Sequence, residues 1–223
     1  MHNETATADA APILVALLGA LERRRTDPNP RPTTNKREFI LEVARQLMIE
    51  KGMAALTIRG VARAAGMSPG NLGYHFPSYD ALVDELLKWV LTPYLEEFDR
   101  LRDAAGGTPL DRLRAVMNFV LEDLANRDTT LFFPELWVLA NRDDNAKHHM
   151  EKLYTGYVGA LEELIREARR DLSDEAVTNL AWLICATIEG QTVFVGAERP
   201  QAARRDALRE LTLNTLVRAV VEA

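Results

Sequence analysis

The chain has 223 residues, 47% of them apolar and 27% charged, with a formal net charge of −6. This is a globular composition with length for a sizeable core in one unit or two, and no uninterrupted apolar run approaches the roughly 20 residues that cross a bilayer. Cys185 is the single cysteine, which excludes an internal disulfide and a cysteine-based metal site within one chain.

The charge is uneven. Residues 1–90 hold 11 Lys+Arg and 10 Asp+Glu, a net of +1, whereas residues 91–223 hold 16 and 23, a net of −7. Only the first part approaches a phosphate backbone without strong self-repulsion. The apolar stretch 10–21 follows Glu4 and Asp9 and precedes Arg23, Arg24 and Arg25, the reverse of a secretory signal, so a cytoplasmic protein is expected. After it, the three prolines of "TDPNPRP" forbid regular helix and mark residues 1–32 as an extension ending in a linker.

The first confident helix places Ile40, Val43, Ala44 and Leu47 at i, i+3, i+4 and i+7, with Thr34 or Asn35 as cap and Gly52 as stop. A second begins at Thr57, buries Ile58, Val61, Ala62 and Ala65, and ends at Gly66. Ser68 caps a third, Pro69 takes its first position, and Leu72 and Phe76 form its buried edge. Two short helices joined by "GMS" make a helix-turn-helix. From Asp80 a longer helix buries Leu82, Leu86, Trp89 and Val90, with Pro93 expected to bend or interrupt it. "AAGG" breaks the chain before Thr108, a cap with Asp111 three residues on. Further helices are expected over 110–126, 129–140, 145–170, 174–196 and 201–221. Nothing reads as a strand, so the fold class is all-α, a small N-terminal three-helix unit preceding a larger bundle.

In the bundle, adjacent His148 and His149 point about 100° apart on a helix and cannot share a metal as an i, i+4 pair would; both read as solvent-exposed. Cys185 reads as a buried structural thiol. Glu189 is the only charged residue between Glu175 and Glu198, and a buried carboxylate must be paired, hydrogen-bonded or protonated. It anchors either a basic or hydroxylated ligand, or a bundle arginine or dimer contact. With no nucleophile–base pair, phosphate loop or metal spacing, no catalysis, cofactor or metal is expected.

The segment "LTIRGVARAAGMSPGNLGYHFPSYDAL" resembles the DNA-binding motif of the TetR family of bacterial transcription regulators, over about residues 36–90. The carriers are the Thr57 cap, the Ala62–Gly66 close of helix two, Ser68 with Gly70 and Leu72, the pair His75 and Phe76, and Asp80. The resemblance implies a recognition helix whose N-terminal residues meet base edges in the major groove, with small Gly70 permitting close backbone approach. It further implies DNA contacts for Thr57, Arg59, Ser68, Pro69, Gly70, Asn71, Tyr74, His75 and Tyr79. Thr57, Ser68 and Pro69 also serve as plain helix caps, and Tyr74 and His75 alternatively tie helix three to helix four. Gly73 stands where relatives usually carry an aromatic and Tyr79 where they usually carry lysine, so fewer phosphates are neutralised. Arg23–Arg25 are either a solvated helix face or reach an adjacent minor groove.

The same resemblance implies DNA binding over 33–78 and effector binding and dimerisation over 79–223. The function expected is that of a ligand-responsive regulator, a repressor, bound as a homodimer to a palindromic operator in double-stranded DNA and released by a small-molecule effector. The alternative is a helical small-molecule-binding dimer whose DNA binding is weakened or lost. Phe133, Trp137, Tyr157 and Trp182, otherwise plain core, are the aromatics expected at the effector cavity, with Glu189. The last two helices are expected to pair with their symmetry mates, Leu213, Leu216, Val217 and Val220 forming the seam.

Overall fold

Residues 35–223 are described by a computed structural model, in which nine α-helices follow one another with no strand among the described residues. The Thr34 cap, the extension helix, the proline linker and Arg23–Arg25 lie outside that range. Helix α1, Lys36–Lys51, starts at Asn35, whose side chain accepts the Arg37 N–H at 3.1 Å, and stops at Gly52 with φ 73°. Its inner face is Ile40, Leu41, Ala44, Leu47 and Met48; Val43 is only half-buried. Helix α2, Ile58–Ala64, is capped by Thr57 Oγ1 accepting the Gly60 N–H at 2.9 Å. Helix α3, Pro69–His75, is capped by Ser68 Oγ accepting the Asn71 N–H at 3.2 Å. Leu72 and Phe76 hold α3 to the core.

Helix α4, Tyr79–Arg102, runs 24 residues from its Ser78 cap without a break at Pro93. The expected interruption does not occur, because the proline forfeits one backbone bond while Leu86, Leu87, Leu91 and Tyr94 bury the turns on either side. The Thr108–Asp111 capping box opens α5, Pro109–Asp123. Then come α6, Arg127–Ala140; α7, Asp144–Ala168; α8, Asp174–Phe194; and α9, Arg205–Glu222, after a 3-10 turn at Ala202–Arg204. Helix α7 is the spine of the bundle, packed by α4, α5, α6 and α8, while α9 lies over α5.

Two expectations are corrected here. Leu213, Leu216 and Val220 are buried within the protomer, with Val217 against the same core, so this stripe is not a free seam. Periodicity identifies a buried face without saying what buries it. His149 is buried as well, its Nε2 2.8 Å from Asp84 Oδ1, and ties α7 to α4, while His148 is exposed.

The three N-terminal helices are fixed to the bundle by polar contacts the sequence did not announce. Arg45, only 7% exposed, places its guanidinium between Glu42 on α1, at 2.7 and 3.0 Å, and Asp128 on α6, at 2.8 Å. Two turns along α6, Glu135 Oε2 accepts the Met53 N–H at 2.8 Å. Arg37 bridges α1 to Glu85 on α4 and to the His75 carbonyl, with its guanidinium 4.6 Å over the Phe76 ring.

Gly60 is required by close approach: a Cβ there would stand 2.4 Å from the Ala55 carbonyl oxygen and 2.9 Å from Thr57 Oγ1. Gly60→Ala is therefore expected to destabilise the protein by about 1–3 kcal/mol through overpacking. Gly70→Ala, with nothing within 4 Å of its Cβ, is expected to be neutral or stabilising by up to about 1 kcal/mol. Urea unfolding of both variants checks the contrast; equal midpoints would show that Gly60 is not constrained.

Candidate nucleic-acid interface and effector cavity

Two buried side chains anchor α3, which leaves its outer face to solvent. Ser68, Pro69, Gly70 and Asn71 are all exposed, and Tyr74 is 86% exposed with its ring set edge-on to His75 at 5.3 Å. Thr57 and Arg59 lie exposed on the neighbouring helix start. A Cβ at Gly70 or Gly73 would meet nothing within 4 Å, so the chain's own packing asks for neither glycine. The tie between α3 and its surroundings runs through the His75 carbonyl to Arg37 and through Phe76, not through the Tyr74 ring.

Tyr79 departs from this face. It is half-buried against the core, where burial first and then the carboxylates of Asp143 and Asp80 push its hydroxyl up. Sequence reasoning missed two cations beside the face. Arg63 is exposed one turn after Arg59, and Lys36 borders a notch with Ser68 and Asn71. The i, i+4 spacing of Arg59 and Arg63 was readable; the approach of α1 to the α2–α3 turn was not.

A cavity of about 30 Å³ lies inside the bundle, lined from α4 by Tyr94 and Phe98, from α6 by Thr129 and Phe133, from α7 by Tyr154 and Tyr157, and from α8 by Glu189 and Thr192. Phe133, Tyr157 and Glu189 are thus brought together as expected. Trp137 stands one step back, its Nε1 donating to the Tyr154 hydroxyl at 2.9 Å. Trp182 does not join them. It is 49% exposed on the outer side of α8, where Leu183, Val193 and Phe194 are also exposed. The run Ala181–Ala186 is apolar all round, so periodicity could not orient it.

At the end of α5, the buried Asp123 carboxylate accepts from Tyr94 at 2.6 Å and from Thr129 at 2.9 Å, joining α4 to α6 beside the cavity. Burial pushes the Glu189 carboxyl up to about 7; its hydrogen bond with Tyr154 opposes the shift and Asp123 adds to it. Cys185 is buried, and that burial, followed by Glu189, pushes its thiol up to about 12. This is an inert thiol.

A helix-turn-helix with an exposed polar third helix, carried on an all-helical body with an interior cavity, defines a DNA-binding transcription regulator. Residues 40–86 match the profile described as "Bacterial regulatory proteins, tetR family", and residues 109–221 match "BetI-type transcriptional repressor, C-terminal". The chain belongs to the TetR family of transcription regulators. It is 39% identical over 84 residues to the HTH-type transcriptional repressor KstR2 of Mycobacterium tuberculosis, covering 37% of this chain and 40% of that one. It is 32% identical over 88 residues to the HTH-type transcriptional regulator BetI of Stenotrophomonas maltophilia, covering 40% and 45%. These matches therefore span less than half the length of either relative. Among solved structures, Salmonella enterica GusR superposes with a TM-score of 0.67 at 20% identity, covering 88% of this chain and 100% of that one. The ketosteroid transcriptional regulator KstR2 of Mycobacterium tuberculosis superposes with a TM-score of 0.59 at 23% identity, covering 84% and 95%. Both show the shared fold.

Because Glu189 holds its proton up to about pH 7 in the folded chain and releases it near 4.3 when exposed, the folded state binds more protons between those values. Stability contributed by this group falls as pH rises through that window. Relative to wild type, Glu189→Gln is expected to gain on the order of 2 kcal/mol between pH 5 and pH 8. Urea melts at the two pH values measure it; a pH-independent difference would mean that Glu189 is not desolvated.

Proposed function

We propose that this protein is a ligand-responsive repressor that binds a palindromic operator as a homodimer and releases it when a small molecule enters the interior cavity. Residues 33–78 form the DNA-binding unit and residues 79–223 the effector-binding and dimerisation unit, with residues 1–32 as an extension. The observation that carries the reading is the outer face of α3: Ser68, Asn71 and Tyr74 exposed beside Arg59, with Gly70 leaving the backbone open to close approach from outside. The Ser68 hydroxyl and the exposed start of α3 suit a phosphate, Asn71 suits adenine or phosphate, and Arg59 suits either a guanine edge or the backbone.

The dimer face in this reading consists of the apolar side chains left exposed on the last helices. Leu183 is 51% and Phe194 64% exposed, with Trp182, Val193, Leu211 and Val221 also open to solvent. Apolar exposure on this scale fits an isologous contact around a two-fold axis. That axis sets two α3 helices on one face of DNA about one turn apart. The effector acts by favouring a body shape in which the two no longer match the groove, and it weakens DNA binding only by its differential affinity for the two shapes.

Fluorescence anisotropy against tiled duplexes from the DNA beside the protein's own gene tests the first part. One palindromic tile is expected to bind tightly, with Arg59→Ala and Asn71→Ala each weakening binding at least about tenfold and Arg59→Ala lowering the salt slope by about 1. Weak binding that ignores sequence and both substitutions would favour the helical small-molecule-binding dimer instead. For the second part, sedimentation is expected to give twice the chain mass of 25.0 kDa, and Leu183→Arg, which puts a charge into the apolar face, is expected to give monomer. A wild-type monomer would remove the two-fold reading.

A further inference from the structure

The interior cavity carries chemistry that names a class of effector. Two carboxylates, Glu189 and Asp123, line it together with the rings of Tyr94, Phe98, Phe133, Tyr154 and Tyr157, and no lysine, arginine or histidine does. Asp123 is occupied by Tyr94 and Thr129. Glu189 is bonded to Tyr154, whose hydroxyl already takes the Trp137 N–H. Tyr157, 1% exposed and stacked on Phe98 at 4.8 Å, has a hydroxyl with no partner among the described residues. A buried hydroxyl left without a partner is costly, so a bound group that supplies one is favoured. An anionic ligand would meet two carboxylates and no base, whereas a cation meets a carboxylate and several ring faces.

The space is also too small to be used as it stands. About 30 Å³ holds one or two waters, yet Tyr94, Thr129 and Phe133 are a shared wall with a second cavity of about 60 Å³ bounded by Trp89, Val90, Pro93 and Phe132. Phe133 is half-buried and makes edge contacts with Tyr94 and Phe132 at 5.5 and 5.8 Å. Phe133 is thus one of the side chains standing between the two spaces.

We propose that the effector is a protonated amine bearing an apolar group, its ammonium N–H groups donating to the Glu189 carboxylate and the Tyr157 hydroxyl while the apolar part passes Phe133 into the second cavity. The proposal rests on the reading that the interior cavity is the effector site. The apolar part then packs on Trp89, Val90, Pro93 and Phe132 in the second cavity, which Glu42, Arg45 and Asp128 also line. The effector is thus seated beside the contacts that hold α1 to α6.

Glu189 makes the binding pH-dependent. The titratable groups facing it are Tyr94 from α4, Asp123 from α5, Tyr154 and Tyr157 from α7 and Cys185 from its own helix, and none is cationic. Burial pushes the Tyr154 and Tyr157 hydroxyls upward, so both stay neutral across the useful range. Since the carboxyl keeps its proton up to about pH 7, an ammonium that requires the carboxylate binds about tenfold more tightly at pH 8 than at pH 6.

Isothermal titration calorimetry on the full chain tests this with 2-phenylethylamine, n-hexylamine and cyclohexylamine, each against the carboxylate of matching shape, at pH 6 and 8. At least one amine is expected to bind with the tenfold pH gain and no carboxylate to bind. Glu189→Gln should lose at least tenfold of that affinity and Tyr157→Phe at least threefold, both with cooperative melts. No binding by any of the three amines up to 10 mM, equal binding of a carboxylate, or an unchanged affinity in Glu189→Gln would overturn the proposal. If Glu189→Gln does not fold, Tyr157→Phe and the wild-type pH profile decide it. Equal affinity for N,N,N-trimethyl-2-phenylethylammonium would overturn the N–H donation. Operator binding in the same preparation separates the two readings, since intact DNA binding with no amine binding removes only the amine.

Discussion

A guanidinium taken out of water must be matched by carboxylates, and Arg45 draws on both halves of the molecule to do so. Glu42 comes from its own helix and Asp128 from α6, 83 residues away along the chain. Separating α1 from α6 would leave a buried charge short of a partner, a loss of about 1.5–3 kcal/mol for each hydrogen bond to a charged group. Glu135 adds a second clamp on the turn after α1. The helix-turn-helix is thus held to the bundle by α6 together with α4, through Arg37 and Glu85, and α6 also presents Thr129 and Phe133 to the interior. What fills the cavity and what holds the recognition helix share α6, while His149 and Asp84 give α4 a parallel tie to α7.

The charges divide along the same line. The bundle carries most of the acidity and the N-terminal part is close to neutral, so the α3 face with Arg59, Arg63 and Lys36 is the surface that meets a polyanion with least repulsion. Inside, the absence of any base among the described lining residues leaves Glu189 without a cationic partner. A carboxyl in that setting keeps its proton until something positive or strongly donating arrives.

Local chemistry was readable from the sequence and distant pairing was not. Thr57, Ser68, Thr108 and Gly52 cap or stop their helices as their residue types dictate, because a cap involves only the next three or four residues. Glu189 stood out as a lone charge in an apolar run, and it does line the cavity. Arg45 gave no signal of burial, since its second partner, Asp128, is on α6 and charged residues on helices are usually solvated. The Leu213–Val220 stripe was seen, but its cover is α5 of the same chain. Trp182 and His149 were misplaced for related reasons: the first lies in a segment apolar all round, and the second depends on Asp84 across the bundle.

The proposed joining of two DNA-binding units to one dimeric body is tested most directly by moving the operator half-sites. Once the operator is located, its affinity is compared with that of a duplex carrying five extra base pairs between the half-sites, which rotates one of them by about half a turn. A loss on the order of 100-fold is expected, since only one unit can then engage and the gain from joining the two is forfeited. Unchanged affinity for the spaced duplex would contradict it, showing that the units bind independently of the body that Arg45 and Asp128 tie them to.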